Sequence, residues 1–160
     1  MHNKIVVAGL ICLDIAPKFP DYADSNLLEQ GFGSGKIFDI EKASINLGGA
    51  VANTGLALNF LDANVQLLGK IGDDSFGKLV LEKVPENNRA DLVVDKNSDT
   101  AYSIIFDFPG GDRAIFHNPG ANDTFSSEDI DEESLKEACL FHLGYPTIMR
   151  KLYENNGEEL

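Results

Sequence analysis

Apolar and polar positions follow two different rhythms along this chain. In the first, strand-like runs are closed by glycine: the apolar residues 5–8 end at Gly9, and a second strand over 65–71 ends at Gly72-Asp73-Asp74. Runs of this kind are what strands buried on both faces of a parallel sheet need. The segments between them have a helical period. Residues 50–61 carry Ala52, Leu56 and Phe60 on one face, with Asn59 and Asp62 near the end, and predict a helix. Residues 76–84 predict a second helix, broken by Pro85-Glu86-Asn87-Asn88.

The second rhythm is strict alternation. Over residues 101–108, Tyr102, Ile104 and Phe106 share one face, and Ser103, Ile105 and Asp107 the other. Pro109-Gly110-Gly111-Asp112 makes a turn and residues 113–117 return, which predicts a β-hairpin. A polar helix over 127–137, a buried strand over 139–144 and a short helix capped by Thr147 after Pro146 complete the pattern. The connection after the first strand is long, with Pro17, Pro20 and glycines 31, 33 and 35, and holds two short strand candidates at 36–40 and 43–47. The fold class expected is α/β: a parallel sheet flanked by helices, with a small β-rich excursion inserted twice.

Composition narrows the function. A length of 160 residues is normally that of one domain, and a 43% apolar content with 10 Phe argues for a packed core. Its net charge of −13 argues against a nucleic-acid surface, which needs basic stripes to neutralise phosphate. The apolar runs fall short of a membrane span, and the opening MHNKIVV leads straight into a strand and not into a signal peptide. Cys12 and Cys139 each lie in an apolar run and are expected to be buried free thiols, consistent with a reducing cytosol and a cytoplasmic protein. No metal-ligand spacing occurs, so no metal site is predicted. Asn155-Asn156-Gly157 punctuates a helix and Glu158-Glu159-Leu160 reads as the start of another element, so the chain is expected to be the N-terminal part of something longer.

Two glycine clusters invite a phosphate or ligand reading. Gly31-Phe32-Gly33-Ser34-Gly35-Lys36 fails as a P-loop: its glycines are too close, and Ile37 stands where Ser or Thr is needed, so a flexible turn is the better reading. Gly48-Gly49-Ala50-Val51-Ala52-Asn53 joins a strand to a helix, where backbone N–H groups are unpaired donors. Asn53, one turn in, offers a donor and an acceptor, suited to a vicinal diol; tight helix–sheet packing with an exposed Asn is the plainer alternative. Asp14, just after the first strand, lies where ligands gather in open α/β sheets, or else forms a turn or cap. In Gly72-Asp73-Asp74-Ser75-Phe76-Gly77, Asp74 or Ser75 is placed to cap the next helix. His117 and His142 have no Ser or Cys partner at a suggestive spacing; His142 is expected in the core and His117 in a loop near the hairpin.

Taken in order, GLICLD, LGGAVANTGLALNFLDANVQLLGKIGDDSFG and TAYSIIFDFPGGDRAIFHNPGAND resemble the ribokinase-like carbohydrate kinases, the phosphofructokinase B family. The resemblance implies a ribokinase-like, Rossmann-type sheet with a small β lid, truncated. Residues 1–160 would be the N-terminal part of one domain, with lid segments at about 15–47 and 100–118. It implies a sugar or nucleoside substrate. Asp14 would accept hydrogen bonds from sugar hydroxyls, Gly48, Gly49 and Asn53 would line the site, and Ser103 and Phe116 would reach it from the lid. It implies ATP and Mg2+, held mostly beyond this chain, and a lid that often builds a homodimer.

Two departures stand out. Ribokinase proper has a lysine where Ala50 stands, and many ribokinases have a glutamate near Gly144, which puts ribose itself in doubt. The family's catalytic aspartate, in a Gly-Ala-Gly-Asp stretch, is absent from these 160 residues, so no catalytic residue is assigned. A non-catalytic sugar-binding fragment or pseudokinase, or a fragment with no function of its own, are the alternatives.

Overall fold

β1 (Lys4–Gly9) lies at the centre of the protein because its side chains are apolar on both faces. In a computed structural model, which describes residues 3–20, 35, 37–107 and 113–160, β1 is hydrogen-bonded in parallel to β4 (Val65–Gly72) on one side and β8 (Ala138–Gly144) on the other. β5 (Leu92–Asp95) adds in parallel outside β4, so this sheet runs β5-β4-β1-β8. Alternation then assigns the two faces. Val7, Leu67 and Ile71 point to a core shared with Val51, Val80 and Val84, and Val6, Ala8 and Leu68 to a second core with Phe125, Met149 and Leu152.

A second sheet rises from the carboxyl end of the first, in the order β3-β2-β6-β7. β2 (Cys12–Ala16) starts three residues after β1 ends and pairs antiparallel with β3 (Ser44–Gly48) and parallel with β6 (Tyr102–Asp107). β7 (Arg113–Asn118) returns antiparallel on β6, so the hairpin expected from the alternation is present, and it stands outside the main sheet. Leu47 and Tyr102 pack onto the first core, and Tyr102 meets Phe76 edge-on at 5.3 Å.

The junction is held by one side chain. Asn122, fully buried in a one-turn helix after β7, accepts from the Ile11 amide (3.2 Å) and donates to the Ile11 carbonyl (2.9 Å). A second clamp joins α2 (Ser75–Lys83) to the root of β6. Asp74 caps α2 by accepting from the Gly77 amide at 2.7 Å, and also accepts from the amide (2.9 Å) and hydroxyl (2.7 Å) of Thr100. Partial burial pushes the Asp74 carboxyl up, but the Thr100 and Gly77 hydrogen bonds outweigh it and hold it below its ordinary value.

Several sequence expectations are corrected. β2 was not foreseen: its residues read as the start of a loop, because Asp14 and Pro17 interrupt the apolar run. Residues 37–40 are irregular, so the strand expected at 36–40 is absent over its described part; residues 31–34 and 36 of the expected turn lie outside the described residues, as does the hairpin turn at 108–112. The helix at 50–61 is present but opens as a π-helical segment (Val51–Leu56) before α1 (Ala57–Phe60), and Phe60 is 87% exposed, not on the buried face. The polar helix at 127–137 splits into one turn (Ser127–Asp129) and α3 (Glu132–Lys136), since Asp131 caps a fresh start by accepting from the Ser134 amide. Thr147 sits inside a one-turn helix and does not cap α4 (Arg150–Tyr153); Asp123 accepts from the Arg150 amide instead. Among the described residues β8 is paired on its β1 side only; Cys139 and Leu140 are exposed and His142 is half-buried, contrary to the buried strand expected.

Asn122→Ala orphans both peptide groups of Ile11, and we expect a loss of about 2–5 kcal/mol in urea unfolding; a change under 0.5 kcal/mol would show that the clamp is dispensable. Asp74 adds acid sensitivity. Its folded value is depressed, so its contribution is whole above the ordinary value near 3.8 and is lost as pH falls through the folded one. The stability gap between wild type and Asp74→Asn should therefore narrow on acidification below pH 4.

Candidate functional site

The carboxyl ends of β1 and β8, the β3-to-helix turn and one face of the second sheet converge on a single region. Gly9 and Gly144 are strand partners there, and the Leu10 amide donates to the Gly144 carbonyl at 3.4 Å. The turn is pressed against this junction, because the Val51 amide donates to the Leu10 carbonyl at 3.2 Å. That helix-start donor is therefore taken by the backbone and is not free for a ligand. Gly49 adopts φ +85°, and a Cβ there would fall on the Leu10 carbonyl. A Cβ on Gly48 would fall on the Asp14 carboxylate, so the glycine pair lets the main chain lie directly against that acid.

Register explains what faces the region. Asp14 pairs with Asn46 on β3 and with Ser103 on β6, and Ser103 pairs with His117 on β7. Directly partnered residues share a face, so Asn46, Asp14, Ser103 and His117 form one polar row across four strands, with Cys12 beside Asp14. Ser103 is buried, and its hydroxyl lies 3.1 Å from His117 Nδ1 and 4.0 Å from Cys12 Sγ. Asp14 is half-buried inside β2 and not just after β1 as expected; among the described residues its hydrogen bond is a weak one from the Cys12 thiol, at 3.5 Å. Burial pushes the Cys12 thiol up to about 12, and the neighbouring Asp14 charge adds to it.

Of the residues expected in the site, Asp14, Gly48 and Ser103 come together directly. Gly49 supports them from the turn. Asn53 is exposed and opens into a groove of about 400 Å³ lined by Asn46, Leu47, Ala52, Leu56 and Lys83; Asn46 belongs to both this groove and the polar row. Phe116 does not join them. It pairs with Ile104 on the opposite face, packs edge-on to Phe106 at 5.5 Å, and is 56% exposed. The residue that sequence reasoning missed is His117, which lies in β7 and not in a loop, bonded to Ser103. The signal was present: Ser103 and His117 are equidistant from Gly110 in the predicted turn. Asn46 was missed because β2, its partner, was.

Ala50 and Gly144 also meet here, since a Cβ on Gly144 would collide with that of Ala50. Among the described residues no group of three or more His, Cys, Asp or Glu converges as a metal site.

A parallel sheet with a second sheet at its carboxyl end defines an α/β protein, and in open α/β sheets that end is where ligands gather. The family model of the pfkB family carbohydrate kinases matches residues 5–157, and the chain belongs to that family. Fructokinase-2 of Oryza sativa subsp. japonica is 27% identical over 146 residues, which are 89% of this chain and 40% of that protein. Fructokinase-1 of Zea mays is 31% identical over 101 residues, 61% of this chain and 31% of that one. The fold matches the fructokinase with bound ATP from Xylella fastidiosa (TM-score 0.67, 22% identity, 89% of this chain and 42% of that one). It matches the Arabidopsis thaliana ribokinase complexed with ribose and ATP equally well (TM-score 0.67, 19% identity, 89% and 45%). The chain spans less than half the length of these relatives.

The two thiols should differ sharply. With a disulfide reagent at pH 8 the native protein should titrate one fast thiol, Cys139, and a second only after unfolding, since a buried thiol held near 12 has almost no thiolate. Rapid modification of both in the native protein would contradict the burial of Cys12.

Proposed function

We propose that this chain is the sugar-binding part of an ATP-dependent carbohydrate kinase, which transfers the γ-phosphoryl group of ATP to a sugar hydroxyl. The observation that carries the reading is Asp14. A half-buried carboxylate whose hydrogen bond is one long S–H contact has acceptor capacity to spare, and a polyol supplies donors in pairs. Asn46 and Ser103 flank it with neutral polar groups, and Asn53 lines the adjoining groove, which suits hydroxyls better than phosphate. The two curated relatives named above are fructokinases, and Ala50 stands where ribokinase proper has lysine, so fructose is favoured over ribose.

The residues present fit the acceptor side of the reaction. Asp14 and its neighbours would bind and orient the sugar and help to exclude water. ATP, with Mg2+, would supply the transferred phosphoryl group, and a carboxylate must accept the hydroxyl proton. The sequence holds no Gly-Ala-Gly-Asp to provide that carboxylate, which favours binding without turnover for the chain alone. A cytoplasmic location accords with this role. A homodimer through the second sheet is favoured by Ile115 and Phe116, large and exposed on its edge strand β7.

The purified chain should bind fructose yet show no ATP-dependent phosphorylation. Asp14→Asn and Asn53→Ala should each weaken fructose binding by about 5- to 150-fold, as expected for about 1–3 kcal/mol of unpaired hydrogen bonding, with Asp14→Asn the larger. Calorimetric titration checks this. Unchanged affinity in both variants would remove the sugar from this face, and turnover that scales with the purified chain would refute its inactivity.

A further inference from the structure

The polar row ends in a titratable group with a defined partner. His117 Nδ1 lies 3.1 Å from the hydroxyl of Ser103, and Ser103 is the strand partner of Asp14. Ser103 is 5% exposed, so its hydroxyl has few alternatives: the imidazole on one side, the Cys12 sulfur at 4.0 Å on another, and Asp14 along the row. An imidazole nitrogen reverses its role with protonation. Neutral, with the proton on Nε2, it accepts from Ser103 through Nδ1. Protonated, both ring nitrogens donate, and the hydroxyl must accept from Nδ1 and turn its own proton elsewhere.

We infer that His117 is a positioning residue for the sugar site, which sets the direction of the Ser103 hydroxyl and thereby makes sugar binding at Asp14 depend on the protonation of one imidazole. The inference rests on the sugar-binding reading above and adds a residue and a pH dependence to it. With His117 neutral, the Ser103 proton is committed to Nδ1, and the oxygen keeps a lone pair for a ligand hydroxyl while Asp14 stays open. With His117 protonated, the Ser103 proton turns along the row toward Asp14 and competes with the ligand for the carboxylate. Sugar affinity should therefore fall as the imidazole gains its proton.

Among the described residues, the groups that bear on His117 come from three elements. Cys12 and Asp14 face it from β2, Ser103 from β6, and Asp123 lies in the one-turn helix that follows β7. Burial holds the imidazole below its ordinary value, while the Asp14 and Asp123 charges pull the other way. The neutral form thus dominates at neutral pH, and the transition falls on the acid side of 6.5.

The test uses the full chain labelled with nitrogen-15, with D-fructose as the probe, between pH 5 and 8. Without sugar, the imidazole spectrum should show an unprotonated Nδ1 at pH 8 and an inflection below 6.5, and Ser103→Ala should move that inflection. With sugar, wild-type affinity should fall on the order of three- to tenfold through the same inflection, the size of one neutral hydrogen bond. His117→Asn, which keeps an acceptor oxygen but does not titrate, should give a flat profile. A protonated Nδ1 at pH 8, or a His117→Asn profile that follows wild type, would overturn the inference and leave the sugar reading intact. Absence of fructose binding at every pH would overturn the sugar reading itself, and the inference would fall with it.

Discussion

Everything at the site depends on how the chain leaves the main sheet at Leu10 and Ile11. A strand that ends in a buried parallel sheet and starts a new one three residues later exposes peptide groups that have no ladder partner. Asn122 supplies both, a donor for the Ile11 carbonyl and an acceptor for its amide, in a fully dry position. Because an unpaired buried peptide group is costly, the chain is held to one path at this point, and β2 follows in one register. That register is what sets Asp14 beside Ser103 and Asn46.

The second sheet is fixed at its other root by the Asp74 clamp on Thr100. The same carboxylate that caps α2 ties down the residue two before β6, so the Gly72-Asp73-Asp74 turn serves the second sheet as much as the helix. Both clamps are far from Asp14 in sequence, and neither touches the groove beside Asn53. They act by removing freedom from the strands that carry the site. The polar row is held in place by groups that are not part of it.

Electrostatics at the row are economical. Asp14 is half-buried beside a thiol that burial keeps neutral and a hydroxyl that carries no charge, and among the described residues no lysine or arginine forms an ion pair with it. Such an environment leaves most of the carboxylate's acceptor capacity unused by the described residues. The overall charge of −13 plays little part at this scale, because screening in physiological salt limits it to surface distances of about 8 Å.

The sequence by itself determined the architecture: buried runs closed by glycine required a two-faced parallel sheet, and alternation through a Pro-Gly-Gly-Asp turn required a hairpin. It also placed Asp14, the glycine pair and Ser103 near one another, because their motifs recur together in a known family. It did not reveal β2, since a strand interrupted by Asp14 and ended by Pro17 has no local signature and exists only because β3 and β6 pair with it. Without β2 the register across the sheet was unreadable, and register alone decides faces: it turned Phe116 away and brought His117 and Asn46 in. One-sided pairing among the described residues was equally hidden, so β8 looked as buried as β1, and Cys139 with it. Local pattern reports what each segment can bury; which neighbour arrives to cover it, and which side chains then share a face, is decided only when distant strands pair.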